Sequence, residues 1–322
     1  MKSFWSEFPR VEERLGRLRQ RVQKQAGTLP SELRDEIQPY LVREGKLLRA
    51  GVLFLAAGEA PSGCDTALES AAATVELLHL ATLIHDDVVD QAALRRGEPA
   101  LHRQFGPSKA VLYGDWMFAQ CFRMISSDVS SASARSLADL VSVMAASEIL
   151  QWNDRFRLPV SPRRILRKTM GKTALLFSLA MYTGAHEAGK PDSEARALRR
   201  AGYSLGMAFQ LQDDLLDWTG QESELGKPIL EDLSAGVYTW PVTLAWKDNP
   251  ETTRKELLDV RDGRLTAADL RDRWNPLGYW ERTETLVQSY LNRARLDLSC
   301  ACNIHEQADW ERLIRGLSKR SR

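Results

Sequence analysis

Apolar residues recur at three- and four-residue spacing through most of this chain, and runs of β-branched residues in strict alternation are almost absent. That spacing lines one face of a helix, whereas a half-buried strand needs a period of two. The expectation is an all-α protein of roughly ten or more helices, in which any strand would be a surprise. Breaks fall where Gly, Pro, Ser and Asn gather: "AGTLPS", "GEAPSG", "RRGEP", "RLPVSP", "GKPDS" and "DNP". No linker is long or polar enough to divide the 322 residues, so a single domain is expected, although length alone suggests about two. The part from about Pro250 to the end carries no chemical motif and is expected to be helical packing or an accessory surface.

Composition narrows the function. With 44 basic against 43 acidic residues, the formal charge of +1 supplies no field to recruit nucleic acid. Four cysteines are too few for a disulfide framework in a chain of this length, and Cys300 with Cys302 lacks a second pair for zinc. A reducing, cytoplasmic setting is expected. The start has no long apolar core of the export type, and no stretch approaches the roughly 18 uncharged residues of a membrane span, so the chain is expected to be soluble.

Chemistry concentrates in a duplicated motif. "LIHDDVVD" at 83–90 is answered by "QLQDDLLD" at 210–217, each with an apolar approach and carboxylates at the same relative positions. On a helix, Asp86 stacks with Asp90, and Asp213 with Asp217, while Asp87 and Asp214 stand about 100° round the axis. One such cluster reads equally well as a solvated helix end. If two face each other, as many as six carboxylates share a partly desolvated space, which requires cations or protons. Hard oxygen ligands suit Mg²⁺, which takes one or two carboxylates plus water and phosphate oxygens. The implied ligand is a magnesium-bridged phosphate or diphosphate.

Cations for such a ligand are at hand. "EGKLLRA" offers Lys46 and Arg49, "LRRGEPALH" offers Arg95 and Arg96, "MGKTALLF" offers Lys172 with Thr173, and "LGKP" offers Lys227. Singly each reads as surface charge; around two acidic platforms they read as ligands. By spacing alone, His79 is a core histidine roughly 10.5 Å along the axis from Asp86. The amide of Gln210 suits either a phosphate or a neighbouring helix.

Taken in order, "GKLLRA", "LLHLATLIHDDVVD", "LRRGEPALHRQFG", "YGDWMFAQ", "GKTALLF", "GMAFQLQDDLLD", "LGKP" and "EDLSAGVYTWP" resemble the all-trans polyprenyl diphosphate synthases, over roughly residues 40 to 245. The resemblance implies the type I isoprenoid synthase fold, a helical bundle around a central cavity forming one polyprenyl synthetase domain. It assigns isopentenyl diphosphate to Lys46, Arg49, His79 and Arg96. It assigns the allylic diphosphate to Asp86, Asp90 and Asp213 through Mg²⁺, three ions with substrate bound, with Asp87, Asp214 and Asp217 supporting the ions. Arg95, Lys172, Thr173, Gln210 and Lys227 would contact that diphosphate. Homodimers are implied, or a heterodimer with a smaller subunit, with transient membrane contact for product release.

The resemblance has departures. Glu44 and Ala50 stand where relatives have glycine and proline, and Val237 stands where many have lysine, which removes one cation from the allylic side. Small residues one turn before Asp86, Ala81 and Thr82, imply a deep tunnel and a product of about C30 or longer, by analogy with relatives that close it there with an aromatic ring. Met117, Phe118 and Phe122 are candidate floor residues, though such a stripe is more often plain core. Two alternatives are a class I terpene cyclase and a non-catalytic helical subunit. The second motif and the basic set argue against the first, and the presence of all six aspartates argues against the second.

Overall fold

The computed structural model describes residues 4–42, 45–95, 97–220 and 229–318. Within these, helices dominate, α2 (Ser31–Val42), α5 (Leu101–Phe105) and α7 (Ser131–Asn153) among them, joined by loops, short 3₁₀ turns, one π turn and one small hairpin. Arg96, Lys227 and Glu44 lie outside the described residues. The chain divides into two compact units, Met1–Ala138 with Leu179–Arg199, and Asp139–Ser178 with Arg200–Arg322.

The first unit is organised on α4 (Asp65–Val89), which packs against α1 (Pro9–Gln25), α3 (Leu48–Ala57) and, most extensively, α6 (Pro107–Asp128). From Ser70 to Leu78 every residue of α4 is buried, so this stretch is a core helix enclosed on all sides rather than an amphipathic one. By length and composition α4 also passes as a membrane span, against the expectation that no stretch would; 67% of its apolar window is buried within the protein, which identifies it as core. Small residues permit the close approach of α4 and α6: a Cβ at Gly114 would meet the His85 ring at 2.2 Å. An ion pair crosses from α1 to the end of α6. Arg21 on α1 donates to Asp128 at 2.5 Å and to Ser70 of α4.

The expectation of no strands fails at one point. Leu94–Arg95 and Glu98–Pro99 pair as an antiparallel hairpin with Arg95 opposite Glu98. Two-residue strands carry no readable alternation. What the sequence showed instead was the turn, with Gly97 at φ 79°, a conformation glycine adopts without strain.

The second unit contains α8 (Pro162–Thr169), the C-terminal part of α10 (Asp192–Thr219) and the helices Trp240–Asp248, Pro250–Arg261, Ala267–Trp274, Tyr279–Ala301 and Ile304–Ser318. Its core is aromatic. Trp218 stacks on Trp274 at 5.4 Å and lies 5.1 Å from Trp280, while its indole N–H donates to Thr239 Oγ1 at 2.9 Å. Buried indoles contribute large apolar area and need a partner for the N–H, and Thr239 supplies it. The C-terminal helices thereby buttress the residue that directly follows Asp217.

Candidate active site

The first aspartate motif closes α4. Asp86 is half-buried, Asp87 is only 3% exposed, and Asp90, at the helix terminus, is exposed. Arg95 grips Asp87 from the hairpin: its Nε lies 2.9 and 3.0 Å from the two carboxylate oxygens, and its Nη2 donates to Oδ1 as well. Burial alone would lower the Arg95 pKa, but the bonds to Asp87 and the nearby charges of Asp86 and Asp90 hold it above its ordinary value. Gln91, just past the motif, takes a left-handed φ of 53°, and the Ala92 N–H returns to the Asp87 carbonyl at 3.0 Å. That reversal delivers the hairpin to the motif.

Lys46 and Arg49 sit at the entrance to α3. Between them Leu47 is left-handed at φ 44°, ψ 44°, a conformation that disfavours a residue with a Cβ by about 1–2 kcal/mol. Two contacts hold it. The Trp5 indole donates to the Lys46 carbonyl at 2.6 Å and fills the space over Gly51, where a Cβ would meet the ring at 1.9 Å. The buried Glu76 of α4 accepts the Ala50 N–H at 2.9 Å, satisfying a donor in the first turn of α3. Ala50, the departure from proline, therefore contributes an N–H that proline lacks. His79 is half-buried, and the Thr82 hydroxyl donates to its carbonyl at 2.9 Å.

The second motif closes α10, in the other unit. Asp213 is exposed, whereas Asp214 and Asp217 are buried. Beside it the chain forms a π turn, Met170–Ala174, between α8 and α9 (Leu175–Glu187). It carries Lys172, exposed, and Thr173, buried. Gly206 allows this approach, since a Cβ there would meet the Ala174 backbone at 2.5 Å, and the turn also packs on Ser147, whose hydroxyl a Cβ at Gly171 would meet at 2.1 Å. The Thr173 hydroxyl donates to Gln210 Oε1, and Gln210 Nε2 donates to Asp214 Oδ1 at 2.9 Å. Gln210 thus joins the π turn to the second motif. Burial pushes the Asp214 carboxyl up to about 6, with Lys168 opposing and Asp232 and Asp213 adding to the rise.

The residues proposed for chain length fall on different faces. Ala81 and Met117 are fully enclosed in the first unit, Thr82 is half-buried, and Phe118 rests beside the His85 ring at 5.6 Å. Phe122, one turn beyond Phe118, is 54% exposed and does not share the buried face of Met117.

Both motifs stand where negative charge is least welcome. They occupy the C-terminal ends of α4 and α10, the negative ends of the helix dipoles, and neither last turn contains a basic residue. Asp214 Oδ2 is buried without a hydrogen-bond partner. Such oxygens fit a divalent cation, which would replace the missing donors and counter both dipole and charge. Among the described residues no three His, Cys, Asp or Glu side chains converge on a ready-made cage. Mg²⁺ needs none, since it takes one or two carboxylates and completes its shell with water and phosphate.

The polyprenyl synthetase family profile matches residues 31–270. The chain is 35% identical over 306 residues to the heptaprenyl diphosphate synthase component 2 of Geobacillus stearothermophilus, covering 91% of this chain and 90% of that protein. It is 30% identical over 291 residues to the octaprenyl diphosphate synthase of Escherichia coli, covering 89% and 88%. The crystal structure of a Caulobacter crescentus polyprenyl synthase, complexed with calcium and isoprenyl diphosphate, superimposes with a TM-score of 0.87 at 31% identity, covering 97% of this chain and 95% of that one. This chain belongs to the polyprenyl synthetase family, an all-α family of prenyltransferases.

Proposed function

We propose that the chain condenses isopentenyl diphosphate with an allylic diphosphate to give a linear all-trans polyprenyl diphosphate of about C30 or longer. The observation that carries this reading is the pair of aspartate motifs, each at a helix end without a basic residue in its last turn. Asp86, Asp87, Asp90, Asp213, Asp214 and Asp217 would hold Mg²⁺. When bound, the metal withdraws the charge that builds on a departing diphosphate. Lys172 and Lys227, with Arg95 near the first motif, add positive charge on the allylic side. Lys46, Arg49, His79 and Arg96 hold isopentenyl diphosphate, with the first two set by the strained entrance to α3.

The allylic C–O bond breaks with its electron pair leaving on diphosphate, and the isopentenyl double bond attacks the resulting allylic cation. A proton then passes from the adduct to the released diphosphate, which leaves an allylic product five carbons longer. Apolar walls must exclude water from the cation for this to succeed. The names of the heptaprenyl and octaprenyl relatives support a long product. The enzyme works in the cytoplasm as a homodimer, or as the catalytic half of a pair; the "component 2" of the Geobacillus protein's name favours the second.

The test is direct. The purified chain is incubated with radiolabelled isopentenyl diphosphate, Mg²⁺ and C10, C15 or C20 primers, and the products are resolved by length. Label in polyprenyl products of about C30 or longer is expected; no incorporation, with or without a second subunit, would refute the reading. Ala81→Phe should shorten the product, and unchanged chromatographic length would remove Ala81 from chain-length control.

A further inference from the structure

The hairpin that carries Arg95 has little packing of its own. Each strand is two residues long, Leu94 is 61% exposed and Pro99 is exposed as well, so apolar burial does not fix where the hairpin stands. An isolated two-stranded ribbon is marginal at best in water. Polar ties to neighbouring helices of the first unit hold it instead. At one foot, Arg103 of α5 donates to the carbonyl of the left-handed Gln91 at 2.9 Å. At the other, Pro99 has no N–H and offers only its carbonyl. That oxygen accepts from Gln104 Nε2 of α5 at 2.8 Å and from the Tyr40 hydroxyl at 3.1 Å, and Gln104 Nε2 donates to the same hydroxyl at 2.6 Å. Gln104 is exposed, whereas Tyr40, on α2, is buried, so Tyr40 is the member of this set that belongs to the core.

We propose that Tyr40 is a positioning residue for Arg95. Pro99, which it holds, pairs across the hairpin with Leu94, the residue before Arg95. The guanidinium is thereby set where its Nε reaches both oxygens of Asp87, at 2.9 and 3.0 Å. One carbonyl and one strand pair separate the Tyr40 hydroxyl from the first aspartate motif. On the prenyl-transfer reading, on which this inference rests, the same placement serves the allylic diphosphate.

The test is a double-mutant cycle with readouts that do not need turnover. Wild type, Tyr40→Phe, Arg95→Met and the double variant are compared by calorimetric titration with magnesium diphosphate, by kinetics with an allylic diphosphate, and by hydrogen exchange. Tyr40→Phe should weaken magnesium diphosphate binding and lower kcat/KM for the allylic substrate by about fivefold. In the Arg95→Met background the same change should alter either quantity by less than about 1.5-fold, because the group it positions is gone. Exchange of the peptide spanning residues 91–100 should quicken about tenfold in Tyr40→Phe, with residues 70–78 of α4 unchanged. Wild-type binding and exchange in Tyr40→Phe, or an equal loss of binding in both backgrounds, would overturn the proposal; the equal loss is what a merely structural tyrosine gives. If Tyr40→Phe does not fold, Gln104→Leu, at the exposed end of the same tie, takes its place in the cycle with the same outcomes, and Arg95→Lys replaces an unfolded Arg95→Met. If wild type elongates no primer, the prenyl-transfer reading fails, while calorimetry and exchange still decide on Tyr40.

Discussion

The two aspartate motifs share a sequence pattern and differ in how the middle carboxylate is balanced. Asp87 is gripped by a guanidinium through both oxygens, whereas Asp214, equally buried, receives one amide bond and has a second oxygen without a donor. A motif can therefore be copied while its surroundings are not. The first copy is complete as an ion pair before any ligand arrives. The second keeps one buried oxygen without a donor, and under the proposed function a cation would offset it.

Breaking either motif gives the largest effect. Asp86→Ala and Asp213→Ala are each expected to reduce chain elongation by at least about a thousandfold, because each removes a proposed metal ligand; radiolabel incorporation measures it. An asymmetry, with one variant near wild type, would mean that the two motifs do not serve one reaction. Next comes the middle position. Arg95→Met leaves Asp87 buried without its partner and should cost about 2–3 kcal/mol in urea denaturation, less than a fully enclosed pair because the guanidinium is partly exposed. Gln210→Leu removes the bond to Asp214 together with the one from Thr173, and should cost about 1–2 kcal/mol. Equal losses would erase the contrast.

The pH dependence of the metal-free protein sharpens it further. Burial raises the Asp214 carboxyl from 3.8 to about 6, so between these values the folded chain binds more protons than the unfolded chain. Stability should therefore fall as pH rises through that window, by at most about 3 kcal/mol, and Asp214→Asn should remove this part of the fall. Urea denaturation with a chelator at pH 4.5 and pH 7 tests it; an unchanged slope in the variant would place the shift elsewhere. The smallest effect is expected at the first unit's entrance, where Ala50→Pro deletes the N–H that Glu76 accepts. A loss of about 1 kcal/mol, with a raised KM for isopentenyl diphosphate, is the expected outcome; kinetics and melting of the same preparation would report it.

The helices and both motifs were legible because they depend on spacing, and spacing is what a sequence displays. Arg95 was legible as a cation near the first motif, but its grip on Asp87 was not. That grip needs a left-handed Gln91 and two-residue strands, neither of which has a period. Trp5 reaches the Lys46 carbonyl across forty-one positions, and no local rule joins them. The C-terminal part looked inert because its work is burial: Trp274 and Trp280 support Trp218, and a supporting indole bears no chemical signature.

The π turn at Met170–Ala174 has a consequence for how this chain tolerates change. A π turn accommodates one more residue than the α-helix around it, so it advances the angular frame of everything downstream by about a quarter of a revolution. Excising a single residue there would restore a regular α-helix and, in the same stroke, rotate Thr173 away from Gln210. The irregularity works as a phase shifter, and a shortened, tidier helix would be the wrong one.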